Sequence, residues 1–452
     1  MAESKYLTAP VPSTTMPRSV PYILVNETAE RFSFYGMTSI LVVFMTHYLM
    51  GPGGVLDVMG NVQATKDFHF FNSAVYLMPL IGALISDIWL GKFRTIIFFS
   101  IVYCLGFVTL VLDLTRLGLA VGLVLIAVGS GIIKPCVSAN VGDQFGKSNT
   151  HLLSKVYSWF YFAINLGACV SMWRCPELLD KYGPRVGFGV PAVFMFVATA
   201  AYWLGRRKFV HIQAAGIESV KNTLRGEPIR ALGRLCILFL FIAMFWSLFY
   251  QSQSAWVLQA ENMNLRWLWK TWLPAQVQFV NSALIMILIP LFAYVIYPAI
   301  NRFFPLTALR KISIGLFVAA LSFVVPAWLE MQITAGGKPS VGWQFFAYVI
   351  LTAAEVLVSI TCLEFSYTQA PKSTKSFVQA LFLLSISLGN AFTAIVNAFI
   401  QNEDGTSKLP GASYYWFFTI AMLVTAILFI PVAARYREKS YIQDESSQDQ
   451  KD

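Results

Sequence analysis

The sequence predicts an all-α polytopic membrane protein: twelve transmembrane helices arranged as two six-helix bundles. Composition gives the class, since 57% of the 452 residues are apolar and only 12% are charged, with a mean hydropathy of +0.62. Soluble domains carry about 25% charged residues. Spacing gives the number of spans, because apolar runs near the ~20 residues needed to cross a bilayer recur along the whole chain. Charge gives the orientation. With both ends cytoplasmic, inner loops and tails hold about 22 Lys and Arg and outer loops about 9, as the positive-inside bias requires. A miscounted helix would invert every later loop and destroy that asymmetry.

In chain order, residues 1–20 are polar and Pro-rich and read as a cytoplasmic segment. Nothing resembles a signal-peptide cleavage site, so no processed leader is expected. The first bundle, 21–205, holds spans near 21–48, 67–90, 95–114, 117–141, 153–173 and 188–205. Residues 206–234 are polar and basic and form a cytoplasmic linker. The second bundle, 235–436, holds spans near 235–256, 272–299, 311–332, 343–366, 376–401 and 413–434. Residues 437–452 are charged and poor in apolar side chains, a composition that favours disorder. The segment 174–187 reads as an outer loop whose Arg174, Lys181 and Arg185 weaken the charge bias. It leaves Cys175 as the one cysteine clearly in a loop.

The net charge of +10 does not indicate nucleic acid, because no basic stripe alternates with aromatics on a soluble domain. Cys104, Cys136, Cys169, Cys175, Cys236 and Cys362 show neither CxxC nor Cys/His ligand spacing. No disulfide framework, metal site or cofactor is therefore expected. Two six-helix halves joined by a basic linker suggest a secondary transporter with its cavity between the halves. The sequence has no Walker motif to suggest ATP as the driver, no selectivity-filter sequence to suggest a channel, and no nucleophile–base constellation to suggest an enzyme.

The stretch "VNETAERFSFYGM" places Glu27, Glu30 and Arg31 inside the first span. A charge at bilayer depth costs roughly 2.5–3.5 kcal/mol even on lenient scales. Spacings of three and four residues put all three on one helical face, which Tyr35 continues. That face must line an interior or a wet cavity. Lys134 in the fourth span falls at a similar depth, in the cytoplasmic half, while Glu355 lies near mid-membrane in the opposite bundle. A zwitterion of peptide length suits cations on one side and a carboxylate on the other, and two neighbouring carboxylates favour one keeping its proton. An Arg–Glu pair can equally do no more than lock helices together. Asn165 and Asn281 can bond across helices merely as packing. His69, near the outer end of the second span, reads as a solvated neutral histidine or as a proton relay.

Several stretches together resemble the proton-dependent oligopeptide transporter family of the major facilitator superfamily. "ETAERFSFYG" is similar to its ExxERFxYYG motif, and "GALISDIWLGKFRTI" to the superfamily's first signature. "GSGIIKPCVSANVGDQF", "FYFAINLGA", "MFWSLFYQSQSAWVLQA" and "EVLVSITCLEFSYTQAPKSTKS" resemble its helices four, five, seven and ten. The resemblance implies the major facilitator fold and proton-coupled symport of di- and tripeptides by alternating access, in a multi-pass protein of the cell membrane. It implies proton coupling at Glu27, Glu30, Arg31, His69 and Lys134. Arg31 and Lys134 would face the peptide carboxylate, and Glu355, Asn165 and Asn281 its amino end. Tyr35, Tyr76, Trp246 and Ser359 would complete the pocket, and Asp87, Gly91 and Arg94 would form a conformational latch. The expected partners are short peptides, protons and the lipid bilayer, with the chain acting as a monomer and without nucleic acid.

Three positions depart from the family pattern. Phe34 replaces a motif Tyr and removes a hydroxyl from the pocket wall. Thr38 and Tyr250 replace an Arg and an acid thought to form an outer-gate bridge in relatives, so closure here falls to hydrogen bonding, packing or His69. These departures keep open transport of another solute, such as nitrate, an amino acid or a peptide conjugate. A receptor that binds without transporting is a third reading.

Overall fold

The computed structural model describes residues 6–214, 216–217, 227–363, 365, 375–402 and 406–436. Among them are twelve long helices: α1 Val20–His47, α2 Asn61–Ile85, α3 Lys92–Leu112, α4 Arg116–Asp143, α5 Leu153–Tyr182 and α6 Pro184–Leu204. A second set follows: α7 Glu227–Phe249, α8 Phe279–Leu291, α9 Ala308–Thr334, α10 Val341–Glu355, α11 Lys375–Ile400 and α12 Ala412–Arg435. Wider π turns extend α2 through Ser86–Leu90, α8 through Phe292–Ile296 and α10 through Val356–Ile360. Ten of the twelve are long and apolar enough to cross a membrane. The exceptions are α1, interrupted by its charges, and α5, rich in polar and aromatic residues.

The helices alternate in direction between a terminal face, where α1 begins and α12 ends, and a distal face. Within the first half α1 packs on α5 and α6, and α4 on α2 and α3. Within the second, α9 packs on α10 and α12, and α7 on α11. The halves meet along two seams, α2 against α11 and α5 against α8. Helix starts follow local chemistry, with Thr115, Thr307 and Ser340 each accepting a hydrogen bond from a first-turn backbone N–H. Small residues allow close approach, since a Cβ on Gly389 of α11 would clash with the Ala243 carbonyl of α7.

The sequence misplaced one connection. Residues 174–187 are not a loop: α5 continues to Tyr182, and Gly183, at φ 79°, turns directly into α6. Cys175 accordingly lies buried in a helix. A helix of 30 residues spans about 45 Å, against a hydrocarbon core of about 30 Å. Hydropathy falls where α5 leaves the bilayer, but its internal hydrogen bonds carry the helix on into water. Likewise α2 begins at Asn61 and α7 at Glu227, earlier than their apolar runs. Linker residues 215 and 218–226 and the tail 437–452 lie outside the described residues. A short distal hairpin, β1 Arg266–Trp267 and β2 Lys270–Thr271, pairs Arg266 with Thr271 between α7 and α8.

Candidate functional site

A cavity of about 490 Å³ lies between the halves, within the size range of small-molecule sites. It reaches Asp87 and Lys92 near the terminal face. Toward the distal face the halves close on each other. Tyr250 donates to the Tyr76 hydroxyl at 2.6 Å, Ser387 donates to the Ser73 carbonyl at 2.8 Å, and Gln278 donates to the Ser39 carbonyl at 3.0 Å. The cavity therefore opens toward the terminal face.

The opening motif supplies one wall. Arg31 Nε donates to Glu27 Oε1 at 2.7 Å and lies 3.0 Å from Glu30 Oε2. Among the described residues its terminal nitrogens make no hydrogen bond, leaving a guanidinium fork for a carboxylate in the cavity. Glu27, Arg31 and Tyr35 line the cavity, while Glu30 is buried behind them and, beyond its contact with Arg31, has no hydrogen-bond partner among the described residues. Lys134, on α4, also lines the cavity. Its ammonium lies 3.9 Å from the Phe34 ring centroid and 4.5 Å from that of Tyr76. It makes no hydrogen bond, and no carboxylate lies within 4 Å among the described residues. The two rings hold it by cation–π attraction, leaving all its N–H donors for a ligand. Phe34 is thus not a bare patch of pocket wall; it is buried beneath Lys134.

The opposite wall comes from the second half. Asn281 on α8 donates to Glu355 Oε2 at 2.8 Å and to Thr352 Oγ1 at 3.0 Å. One Glu355 oxygen is thereby fixed, and the other has no protein partner among the described residues. Glu355 is the last residue before the π turn of α10, which carries Ser359, and such turns often occur at functional sites. Trp246, Asn165, Asn281, Glu355 and Ser359 all line the cavity. Among the described residues Asn165 donates only to the Tyr161 carbonyl one turn back.

Not every expected residue falls here. His69 is neither solvated nor in the cavity: it is fully buried in the distal seam. Its Nδ1 lies 2.7 Å from Asn390 Oδ1, and its Nε2 3.0 Å from Ser254 Oγ. Asn390 spends its amide N–H on the Ile386 carbonyl, so its oxygen faces the ring and fixes the proton on Nδ1. Among the latch residues, Asp87 lines the cavity mouth and Gly91, at φ 73°, starts α3. Arg94 is exposed with no ionic partner among the described residues. The ion pair at this turn is instead Lys92–Asp143, 2.7 Å, joining α3 to α4. Sequence reasoning missed the apolar walls, including Phe160, Met172, Phe249 and Ile285, which look in sequence like lipid-facing side chains.

A family model described as the POT family matches residues 93–225 and 217–417. The chain is 37% identical to peptide transporter family 1 of Drosophila melanogaster, over 71% of this chain and 49% of that protein. It is 33% identical to solute carrier family 15 member 2 of Oryctolagus cuniculus, over 77% and 53%. The chain thus spans about half the length of these relatives. An auto-inhibited POT family peptide transporter of known structure superposes with a TM-score of 0.86 at 30% identity, covering 95% of this chain and 99% of that one.

Proposed function

This chain belongs to the POT family, as a multi-pass membrane protein, and on that premise we propose that it is a proton-coupled importer of di- and tripeptides, not an enzyme. The observation that carries the reading is the division of charge across the cavity. Arg31 and Lys134 line one wall, each with free donors, and Glu355 with a free oxygen lines the other. A peptide carboxylate docks at the guanidinium fork and the ammonium, and its amino end at Glu355. Tyr35, Tyr76, Trp246, Asn165 and Ser359 shape the space between.

Protons load at Glu27 and Glu30. Protonating one of them releases part of Arg31's pairing and frees the guanidinium for the peptide. The Lys and Arg bias supports a cytoplasmic terminal face, and on this reading the cavity opens inward and the chain works in the cell membrane. The chain works as a monomer, and Asp87, Gly91 and Arg94 form a conformational latch at the turn between α2 and α3.

Gradient-driven uptake in proteoliposomes tests this. An inward proton gradient should accumulate dipeptides, and Glu30→Gln should abolish accumulation while sparing exchange. Absence of accumulation for every di- and tripeptide would sink the proposal. Thr38 and Tyr250 favour a second reading, transport of a smaller anion or zwitterion. Thermal stabilisation by such solutes but never by dipeptides would favour that reading.

A further inference from the structure

The distal closure has two layers of different chemistry. Next to the cavity it is neutral, built from Tyr76–Tyr250, Ser73–Ser387 and His69 with its two partners. Charge appears only farther out, where α5 protrudes beyond the bilayer and meets the distal hairpin and the turn before α8. Lys270 Nζ, from the hairpin, lies 3.0 Å from Glu177 Oε1 on α5. Gln276 donates to the same oxygen at 2.9 Å and to the Trp173 carbonyl at 2.9 Å. Arg174 Nη1 lies 2.9 Å from Oε2, so both carboxylate oxygens are engaged.

Aromatic rings flank the lysine. The Lys270 ammonium sits 4.1 Å from the Trp173 ring centroid and 5.3 Å from that of Trp272. Trp173 meets Trp272 and Phe279 edge-on, at 5.4 and 4.8 Å. Glu177, Arg174 and Trp173 belong to the first half, and Lys270, Gln276, Trp272 and Phe279 to the second. A second ionisable contact, His47 Nε2 to Glu261 Oε1 at 3.0 Å, joins α1 to the turn that follows the short helix Ala255–Ala260.

We propose that Glu177 and Lys270, the lysine seated against Trp173 and Trp272, form the latch that holds the distal side shut, and that its strength sets how often the cavity opens to that side. The inference rests on the transporter reading above, since only a chain that exposes the cavity to both faces must break this contact. The α5–α8 seam has to part for distal opening, and the latch sits at its outermost turns. One Glu177 carboxylate ties α5 to both Lys270 and Gln276 of the second half, so a single group holds two contacts across the seam. Its place at the rim makes it reversible: on separation both charges return to water, which a pair at mid-membrane depth could not do. Thr38 and Tyr250 leave the inner layer without charge, and the rim supplies it.

The test uses the full chain in liposomes, spin-labelled at Tyr182→Cys and Lys338→Cys, two exposed distal positions in opposite halves. Cys169 and Cys236 are replaced by Ser, and distances are read by pulsed EPR. Glu177→Gln and Lys270→Gln are each expected to raise the long-distance population at least threefold, and Lys270→Arg to keep the parent distribution. High salt should lengthen the parent's distances but not those of Glu177→Gln. Parent-like distributions in both Gln variants would overturn the latch. If Glu177→Gln does not fold, Lys270→Gln carries the test alone. Peptide uptake on the same vesicles separates the two proposals: a parent that accumulates no peptide refutes the importer, while the distances still judge the latch.

Discussion

Glu355→Gln offers the sharpest test of how the cavity reads a peptide, because its effect depends on the ligand's own charge. Asn281 holds one carboxylate oxygen at 2.8 Å and leaves the other for the ligand. An ammonium about 3 Å from that oxygen gains about 5 kcal/mol at an effective dielectric of about 20. Desolvating both charges takes back part of this, and net values for hydrogen bonds to charged groups run at about 1.5–3 kcal/mol. At 1.4 kcal/mol per tenfold, the substitution should weaken a dipeptide with a free amino terminus by roughly 10- to 150-fold. The same dipeptide N-acetylated never makes the contact, so it should lose little on substitution. The assay is competition of free and acetylated Ala-Ala against a labelled peptide in proteoliposomes, for parent and variant. The ratio of the two affinities should fall toward one in Glu355→Gln. A variant that still discriminates free from acetylated peptide as strongly as the parent would refute the placement of the amino end at Glu355.

Arg31→Lys keeps the positive charge but loses the planar fork that can hold a carboxylate bidentately. Peptide affinity should fall about tenfold or more for one lost charge-assisted hydrogen bond, read as KM in exchange, and an unchanged KM would count against the fork. Gly389→Val puts a branched side chain where a Cβ alone would already clash with the Ala243 carbonyl. Overpacking of this kind costs about 1–3 kcal/mol, and scanning fluorimetry in detergent should show a lowered Tm; a Tm equal to the parent's would mean that α7 and α11 do not pack this closely. Burial pulls the Glu177 carboxyl upward, but hydrogen bonds from Lys270 and Gln276 and the charges of Lys270 and Arg174 outweigh it, leaving it below 4.5. A depressed carboxylate contributes fully above its unfolded value and loses that contribution as pH falls through the folded one. The difference in long-distance population between parent and Glu177→Gln should therefore stay constant from pH 8 to pH 5.5, and a difference that fades over that range would place the carboxyl's titration too high for the latch.

The features legible in the sequence are those the bilayer penalises. Glu27, Glu30, Arg31, Lys134 and Glu355 stand out because a charge in an apolar run is costly, and all but the buried Glu30 line the cavity. Ten of the twelve helices were legible for the same reason, through the ~20-residue apolar length each span requires, while α1 and α5 fall short of it. Where that penalty ends, so does the signal. The last turns of α5 read as a loop because "RCPELLDKY" is as polar as a loop, yet a helix needs no apolar surface once its backbone bonds are internal. Inside the cavity the opposite failure occurs: Phe160, Met172 and Ile285 line the site, but in helices apolar on every side nothing separates cavity-facing from lipid-facing positions.

The same physics explains why the two layers of the distal closure differ in legibility. A buried pair at positions 38 and 250 would have been visible as charge in the membrane, and its absence was visible too. The proposed rim latch could not be seen, because Glu177 and Lys270 lie among other polar residues and water imposes no cost on them until the halves meet and Trp173 and Trp272 flank the lysine. Burial at the rim is created by the meeting of the two halves and is lost when they part. A contact made only in one conformational state leaves no mark on the hydropathy of either strand of sequence that forms it. The mid-membrane charges must be tolerated in every state of the cycle, and so their cost is written into the helices that carry them.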